Sequence, residues 1–138
     1  MKRKRLLLDA SVLIADADIE ASTSLERELM SRGYCCTRVT SGRKALAAAR
    51  KKRFDVAVVD MDLDDLKGYQ LIPLLKDMSD RTKVVFSTSQ HSMGIERKAR
   101  EAGIVFYAIK ANSMLELLSA VSSAVRAKRS EDAAESIA

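Results

Sequence analysis

Residues 54–72 read FDVAVVDMDLDDLKGYQLI, and this stretch decides how the rest of the chain is interpreted. A short apolar run rich in valine leads to Asp60, and Asp62, Asp64 and Asp65 follow at once. This pattern is typical of a buried strand that opens into a loop. Carboxylates crowded at the mouth of a strand repel one another and need a cation, a proton or a phosphate partner. A solvated turn explains the same residues, so the segment alone leaves both interpretations open.

The composition indicates one soluble globular domain, with 138 residues, 47% apolar and 31% charged. Apolar runs are too short for a membrane span. The first residues, MKRKRLLLDASVLIADAD, have a basic head, but Asp9 interrupts the apolar part, so we expect a cytoplasmic protein rather than a secreted one. Cys35 and Cys36 are adjacent and His91 is the single histidine, which fits reduced strand cysteines better than a disulfide or a zinc site.

The net charge of +5 raises the question of nucleic-acid binding. The basic residues lie in four separate clusters, at 2–5, 50–53, 97–100 and 126–129, and three of these fall in or at the ends of predicted helices. Aromatic residues make up only 4% of the chain, too few for base-stacking platforms. We therefore interpret the clusters as solvated helix faces and predict no direct contact with nucleic acid.

Apolar strands alternate with amphipathic helices along the chain. The pattern predicts strands at 12–15, 35–40, 55–60, 83–88 and 104–109, and helices at 20–32, from Ser41, at 68–78, at 92–102 and from Asn112. Pro73 should bend the third helix or mark a late start. Such alternation indicates an α/β domain with a central parallel sheet and helices on both faces.

Domain boundaries follow from where this periodicity begins and ends. We predict an N-terminal extension over 1–10, the folded domain over 11–128 and a disordered tail over 129–138.

Four predicted strands end in polar residues that suit phosphoryl chemistry: Asp16, Asp60, Thr88 and Lys110. In parallel sheets of this kind, the functional crevice lies outside the carboxyl ends of the strands. Carboxylates can bind magnesium or act as a nucleophile, while a lysine and a hydroxyl can stabilise phosphoryl oxygens. The sequence therefore predicts a magnesium-assisted phosphoryl site at this edge.

The chain resembles the receiver domain of two-component response regulators over residues 12–127. The motifs that carry the resemblance are VLIADAD, GYCCTRVTSGRKAL, DVAVVDMDLDDLKGYQLI, VVFSTS and FYAIKA, in the family's order and at its usual separations. The resemblance implies a single flavodoxin-like (βα)5 domain, a doubly wound parallel sheet with strand order 2-1-3-4-5. It also implies a signalling module rather than an enzyme.

The resemblance assigns a role to each strand-end residue. Asp60 corresponds to the phosphoacceptor, and Thr88 and Lys110 to the groups that stabilise the phosphoryl group. Tyr107 lies at the family's aromatic switch position and would move together with Thr88, although an ordinary half-buried strand tyrosine fits the pattern too. His91 is interpreted as a surface residue.

The same resemblance implies Mg²⁺ as the cofactor. Its ligands would be Asp16, Asp60 and the backbone carbonyl of Asp62, with Asp18 as an alternative ligand; the side chains of Asp62, Asp64 and Asp65 are interpreted as solvated loop charges. Ala17 stands where the family has a second acid, which predicts weakened metal binding.

A second departure from the family pattern lies next to the lysine. Ala111 replaces the family's proline, often preceded by a cis peptide bond, which predicts a trans Lys110–Ala111 peptide.

Partners are likewise implied by the family. A sensor histidine kinase or a phosphotransfer protein would donate the phosphoryl group. An output protein, whose identity the residues do not give, would bind the face formed by the fourth helix, fifth strand and fifth helix.

Three alternatives explain part of the pattern. The nearest is a degenerate receiver that binds proteins without phosphorylation. LLLDASVLI also resembles the opening of PIN-domain ribonucleases, with Asp9 as a magnesium ligand, but the later acids of that site are missing from AIKANSMLELL. VVDMD fits the nucleophile motif of haloacid-dehalogenase-like phosphatases, with Asp60 and Asp62, but a later acidic pair is missing. The receiver interpretation explains four motifs and each of the last two explains one.

Overall fold

A computed structural model describes residues 10–110 and 114–137 of the chain. The strands are β1 (Ser11–Ala15), β2 (Cys35–Val39), β3 (Val56–Asp60), β4 (Lys83–Thr88) and β5 (Phe106–Ile109). The helices are α1 (Ile19–Ser31), α2 (Gly42–Lys51), α3 (Gly68–Met78), α4 (Met93–Ala102) and α5 (Met114–Ile137). In the described part of the chain, no helix combines the length and apolar character needed to cross a membrane.

The five strands form one parallel sheet in the order β2-β1-β3-β4-β5, as predicted. Strand β3 lies at the centre, and all five of its residues are buried. Alternate residues of the strands face opposite sides of the sheet. Val58 and Val85 therefore join the core on one face, while Val59 and Phe86 join the core on the other.

Local signals in the sequence set the helix ends. The side chains of Asp18, Ser41 and Ser92 cap α1, α2 and α4 by accepting hydrogen bonds from backbone amides of the first turn. Gly103 ends α4 in the left-handed region, at φ 103°, where a residue without a Cβ is least strained. Pro73 lies inside α3, which begins at Gly68, so the late start that was one of the two expectations is wrong.

The predicted disorder after residue 128 is also wrong, because α5 continues to Ile137. Its last turns lack an apolar stripe, but their acidic side chains meet basic residues at the amino end of β4. Arg81 contacts Asp132 at 2.8 Å, and Lys83 pairs with Glu131. Charge complementarity thus replaces the hydrophobic periodicity on which the prediction relied. The extension was predicted over 1–10, and its residues 1–9 lie outside the described residues, as do the Asn112 cap, the Lys110–Ala111 peptide and residue 138.

Gly68 fixes the entry to α3 against the end of the central strand. A Cβ added at this position would lie 2.2 Å from the carbonyl oxygen of Asp60 and 3.0 Å from the Phe86 ring. The Gly68 amide also donates to the carbonyl of Met61 at 2.7 Å. Only glycine permits this approach without moving the backbone that carries Asp60.

We expect Gly68→Ala to lower the free energy of unfolding by about 1–3 kcal/mol, the usual cost of forcing extra atoms into a packed site. The measurement is urea denaturation followed by circular dichroism. Gly94→Ala in α4 is the matched control, because its Cβ would lie 3.9 Å from Ser92 Oγ, an ordinary van der Waals contact. Equal stability of the two variants would contradict the role given to Gly68.

Candidate functional site

Asp16, Asp60 and Lys110 come together at the carboxyl edge of the sheet. The Lys110 Nζ lies 2.9 Å from Asp16 Oδ2 and 3.0 Å from Asp60 Oδ1. Both carboxylates are nearly buried, with exposed fractions of 6% for Asp16 and 5% for Asp60. Strands β1 and β3 are neighbours and β5 follows β4 in the sheet, so parallel pairing carries all three residues to the same edge.

Backbone amides orient the two carboxylates. The amide of Asp18 donates to Asp16 Oδ1 at 2.9 Å, and the amide of Asp62 donates to Asp60 Oδ2 at 3.0 Å. Each donor lies two residues beyond its acceptor, where the chain turns out of the strand. The turns therefore hold the carboxylates toward Lys110 rather than toward solvent.

The electrostatics of this trio follow from burial and mutual contact. Burial raises the pKa of Asp16, as does the nearby charge of Asp60, although the hydrogen bond from Lys110 opposes the rise. Burial alone would lower the pKa of Lys110, but its bonds to Asp16 and Asp60 outweigh that effect and raise it. The stability that Lys110 contributes is therefore complete below its ordinary pKa of 10.5 and is lost as pH rises through the higher folded value.

The two hydroxyl residues at the end of β4 have different surroundings. Thr88 is fully buried, and its Oγ1 accepts from the Gln90 amide at 3.1 Å and donates to the Gln90 carbonyl at 3.2 Å. Ser87 instead donates from Oγ to Asp60 Oδ1 at 3.2 Å. Thr88 was predicted as a site residue from its place at the strand end and from the family resemblance of VVFSTS, whereas Ser87 was not predicted. The signal that identifies Ser87 is the strand register, which pairs it with Asp60.

The remaining acids of the site region have separate partners. The Asp18 side chain caps α1 by accepting from the Ala21 amide at 3.1 Å. Asp62 pairs with Lys67 at 3.2 Å.

Asp65 was expected to be a solvated loop charge, but it accepts hydrogen bonds from the amides of Gly42 and Arg43 at 2.7 and 3.0 Å. These bonds at the amino end of α2 lower the pKa of Asp65. Asp65 therefore joins the loop after β3 to α2.

Tyr107 is half-buried on β5 and stacks on Phe86 with ring centroids 5.7 Å apart. Its hydroxyl lies 2.9 Å from Nδ1 of His91, which is exposed, as predicted. Burial raises the pKa of the Tyr107 phenol, as does the charge of Glu96. The phenol therefore stays protonated and able to donate at neutral pH.

A cavity of about 450 Å³ opens beside the trio, between α1 and the first turns of α5. Asp16, Asp60, Ser87 and Lys110 form part of its wall. The cavity gives a phosphoryl-sized group access to Asp60. Within residues 10–110 and 114–137, no group of three or more His, Cys, Asp or Glu side chains is placed to hold a metal ion.

Residues 12–122 match the response regulator receiver domain family. The chain belongs to this family. It is a receiver domain of the two-component response regulators, a family of signalling modules, and the resemblance found in the sequence is confirmed. Receiver domains generally bind Mg²⁺ at the phosphoacceptor site and interact with histidine kinases or phosphotransfer proteins.

Curated relatives of this receiver domain are regulators about twice its length. The transcriptional regulatory protein PcoR of Escherichia coli is 30% identical over 122 residues, covering 88% of this chain and 54% of that protein. The response regulator MprA of Mycobacterium leprae is 28% identical over 127 residues, covering 92% of this chain and 56% of that protein. The chain thus spans about half the length of these relatives.

Solved structures share the receiver fold. A CheY-like receiver domain protein from Methanospirillum hungatei superposes with a TM-score of 0.85 at 22% identity, covering 89% of this chain and 98% of that one, which shows the fold alone. A response regulator from Burkholderia pseudomallei, solved with a phosphorylated aspartic acid, calcium ion and citrate, gives a TM-score of 0.78 at 25% identity. That match covers 92% of this chain and 75% of the other.

Removing the Lys110 ammonium should leave the buried carboxylates of Asp16 and Asp60 without their counter-charge. We expect Lys110→Met to lower the free energy of unfolding at pH 7 by about 3 kcal/mol in metal-free buffer. This value is at the lower end of the range for removing one partner of a buried ion pair, because the Lys110 side chain is partly exposed. The loss should shrink as pH falls, because Asp16 takes up a proton above its ordinary pKa of 3.8 and the repulsion then disappears.

Urea denaturation between pH 4 and 8 measures this dependence. Lys44→Met, at an exposed position of α2, is the control and should change stability by less than about 0.5 kcal/mol at every pH. A loss that stays constant down to pH 4 would show that the carboxylates do not cause it.

Proposed function

We propose that Asp60 accepts a phosphoryl group and that the resulting phosphoaspartate changes a protein-binding surface of the chain. The observation that supports this proposal is the position of the Asp60 carboxylate, buried, bound to Lys110 and adjoining an open cavity. The donor would be a phosphohistidine of a sensor kinase or of a phosphotransfer protein. On this proposal the chain is a signalling module and not an enzyme with a substrate of its own.

In the proposed step, a carboxylate oxygen of Asp60 attacks phosphorus and forms a P–O bond. The P–N bond to the donor histidine breaks, and its electron pair stays on the imidazole nitrogen, which takes up a proton. Lys110 is positioned to stabilise negative charge on the phosphoryl oxygens, since its ammonium already contacts Asp60. The backbone amide of Asp62 holds the carboxylate in place during the attack.

The residues present fit Mg²⁺, although with few protein ligands. Mg²⁺ keeps several waters and is commonly bound by one or two carboxylates together with substrate phosphate oxygens. Asp16 and Asp60 supply two carboxylates that converge on one ammonium, and we propose the backbone carbonyl of Asp62 as the third ligand. The bound ion would supply positive charge to the transferring phosphoryl group.

Weak metal binding is part of the proposal. Ala17 supplies no side-chain oxygen, and Asp18, the alternative ligand, is engaged as the cap of α1. Metal affinity should accordingly be low until a phosphoryl group adds its own oxygens.

The signal would pass from the phosphoryl group to Thr88 and Tyr107. Thr88 would exchange its hydrogen bonds to Gln90 for a hydrogen bond to a phosphoryl oxygen. Tyr107 stacks on Phe86 of β4, so it would move together with the end of that strand. The surface formed by α4, β5 and α5 would then bind an output protein. We propose that the predicted domain, residues 11–128, makes no direct contact with nucleic acid. We also propose a cytoplasmic location.

Phosphorylation should depend on Asp60. We expect the wild-type chain to gain the mass of one phosphoryl group on incubation with acetyl phosphate and Mg²⁺, and Asp60→Asn to gain none, because an amide cannot act as the nucleophile. Intact-mass spectrometry makes the measurement. Asp64→Asn, an exposed acid of the same loop, is the control and should be phosphorylated like wild type. An unmodified wild-type chain would favour the phosphorylation-independent alternative.

Restoring the missing acid should strengthen metal binding. We expect Ala17→Asp to tighten Mg²⁺ binding roughly tenfold, because hard divalent cations are held chiefly by the number and charge of their oxygen ligands. Isothermal titration calorimetry measures the change. Ala21→Asp, which adds the same charge in α1 beyond the strand end, controls for general electrostatic attraction. Equal effects of the two substitutions would contradict a ligand vacancy at residue 17.

A further inference from the structure

Ser87 provides a second hydroxyl at the phosphoacceptor. It lies one residue before the end of β4 and is 3% exposed. The register of β3 and β4 pairs it directly with Asp60, so the two side chains lie on the same face of the sheet. Its Oγ donates to Asp60 Oδ1 at 3.2 Å, the oxygen that also contacts the Lys110 ammonium at 3.0 Å.

Thr88 cannot replace Ser87 in this arrangement. Successive side chains of a strand point to opposite faces, and Thr88 is bound through its hydroxyl to the backbone of Gln90. Ser87 therefore contacts the unmodified Asp60 carboxylate, whereas Thr88 would have to leave Gln90 before it reaches the site. The two hydroxyls serve different states of Asp60.

We infer that Ser87 shortens the lifetime of the phosphoaspartate by stabilising the Asp60 carboxylate as the leaving group. The inference rests on the proposed phosphorylation of Asp60. It assigns to Ser87 a role in removal of the phosphoryl group, separate from the stabilising role of Lys110 and Thr88.

The chemistry of hydrolysis gives the direction of the effect. A water oxygen forms a bond to phosphorus, the P–O bond to Asp60 breaks, and its electron pair returns to the carboxylate. The proton that water loses passes to solvent, and inorganic phosphate leaves. Negative charge on Asp60 grows through this step, and a hydrogen bond strengthens when its acceptor becomes charged. The Ser87 hydroxyl therefore stabilises the transition state more than the phosphoaspartate.

The same bond also opposes phosphorylation. Ser87 stabilises the free carboxylate, in which Asp60 is charged, relative to the acyl phosphate, in which the carboxylate charge is gone. Wild type should consequently reach a lower phosphorylated fraction than a variant without the hydroxyl at equal donor concentration. Faster decay and lower occupancy have one cause, so they should change together.

The test compares phosphoaspartate decay in four proteins. Each full chain is phosphorylated with acetyl phosphate and Mg²⁺, the donor is removed by gel filtration, and the phosphorylated fraction is followed by intact-mass spectrometry. We expect Ser87→Ala to lengthen the half-life roughly fivefold, which corresponds to about 1 kcal/mol. This is the usual net value of one hydrogen bond and is less than the full value for a charged acceptor, because the charge on Asp60 is only partly developed in the transition state. Ser87→Thr should retain the wild-type half-life within roughly twofold, because it keeps a hydroxyl and the cavity beside Ser87 has room for the methyl group.

Ser22→Ala is the matched control. Ser22 is also buried, at 1% exposure, but its hydroxyl bonds to the backbone carbonyl of Ile19 rather than to Asp60. Its half-life should equal that of wild type. If Ser87→Ala unfolds, Ser87→Cys replaces it, since a thiol of similar size is a weak donor and should give the same direction of change.

The outcomes separate this inference from the proposed function. If wild type is phosphorylated but the half-life of Ser87→Ala, or of Ser87→Cys where it is the replacement, equals or falls below that of wild type, the inference is wrong and the proposed function stands. If wild type gains no phosphoryl group, both are wrong. A longer half-life in Ser87→Ala that Ser87→Thr reverses supports the inference, because a merely structural defect would not be corrected by a larger side chain.

Discussion

The contact of the Lys110 ammonium with two buried carboxylates is the interaction on which the site depends. Asp16 directly follows β1 and Asp60 ends the adjacent strand β3, and without a positive charge between them their burial would be strongly unfavourable. One ammonium cannot neutralise two carboxylates, so the resting site keeps an excess of negative charge. That excess would favour a divalent cation at the site, and the proposed phosphoryl group on Asp60 would require further compensation.

The parallel sheet is the constraint that makes this contact possible. All five strands point the same way, so residues far apart in the chain end at a common edge. Much of the fold could be predicted from the sequence because local signals mark the ends of its elements. Ser41 and Ser92 cap helices, Gly103 ends one, and the apolar runs form the strands. For the same reason, Asp16, Asp60 and Lys110 could be chosen as strand-end residues without knowledge of the contacts.

Two features could not be predicted, because they depend on alignment between distant segments. Strand register decides that Ser87 rather than Thr88 faces the Asp60 carboxylate, and spacing along one strand carries no information about its partner strand. The last turns of α5 were expected to be disordered since they lack apolar periodicity. Their order comes from acids that meet Arg81 and Lys83, residues about fifty positions earlier in the chain.

The length of α5 has a mechanical consequence. The helix begins at Met114, beside the cavity, and continues past residue 122, where the family match ends. Its later turns are held at the opposite edge of the sheet, because Lys128 contacts Asp55 at 3.2 Å. Within the helix, Lys128 also contacts Asp132 at 2.6 Å. A continuous helix of 24 residues is about 36 Å long and resists bending over a few turns. A displacement of its first turn would therefore be expected to rotate the whole helix about this anchored end. Because the ion pair of Lys128 with Asp55 holds that end to the sheet, it would restrict how far the first turn can move away from the cavity.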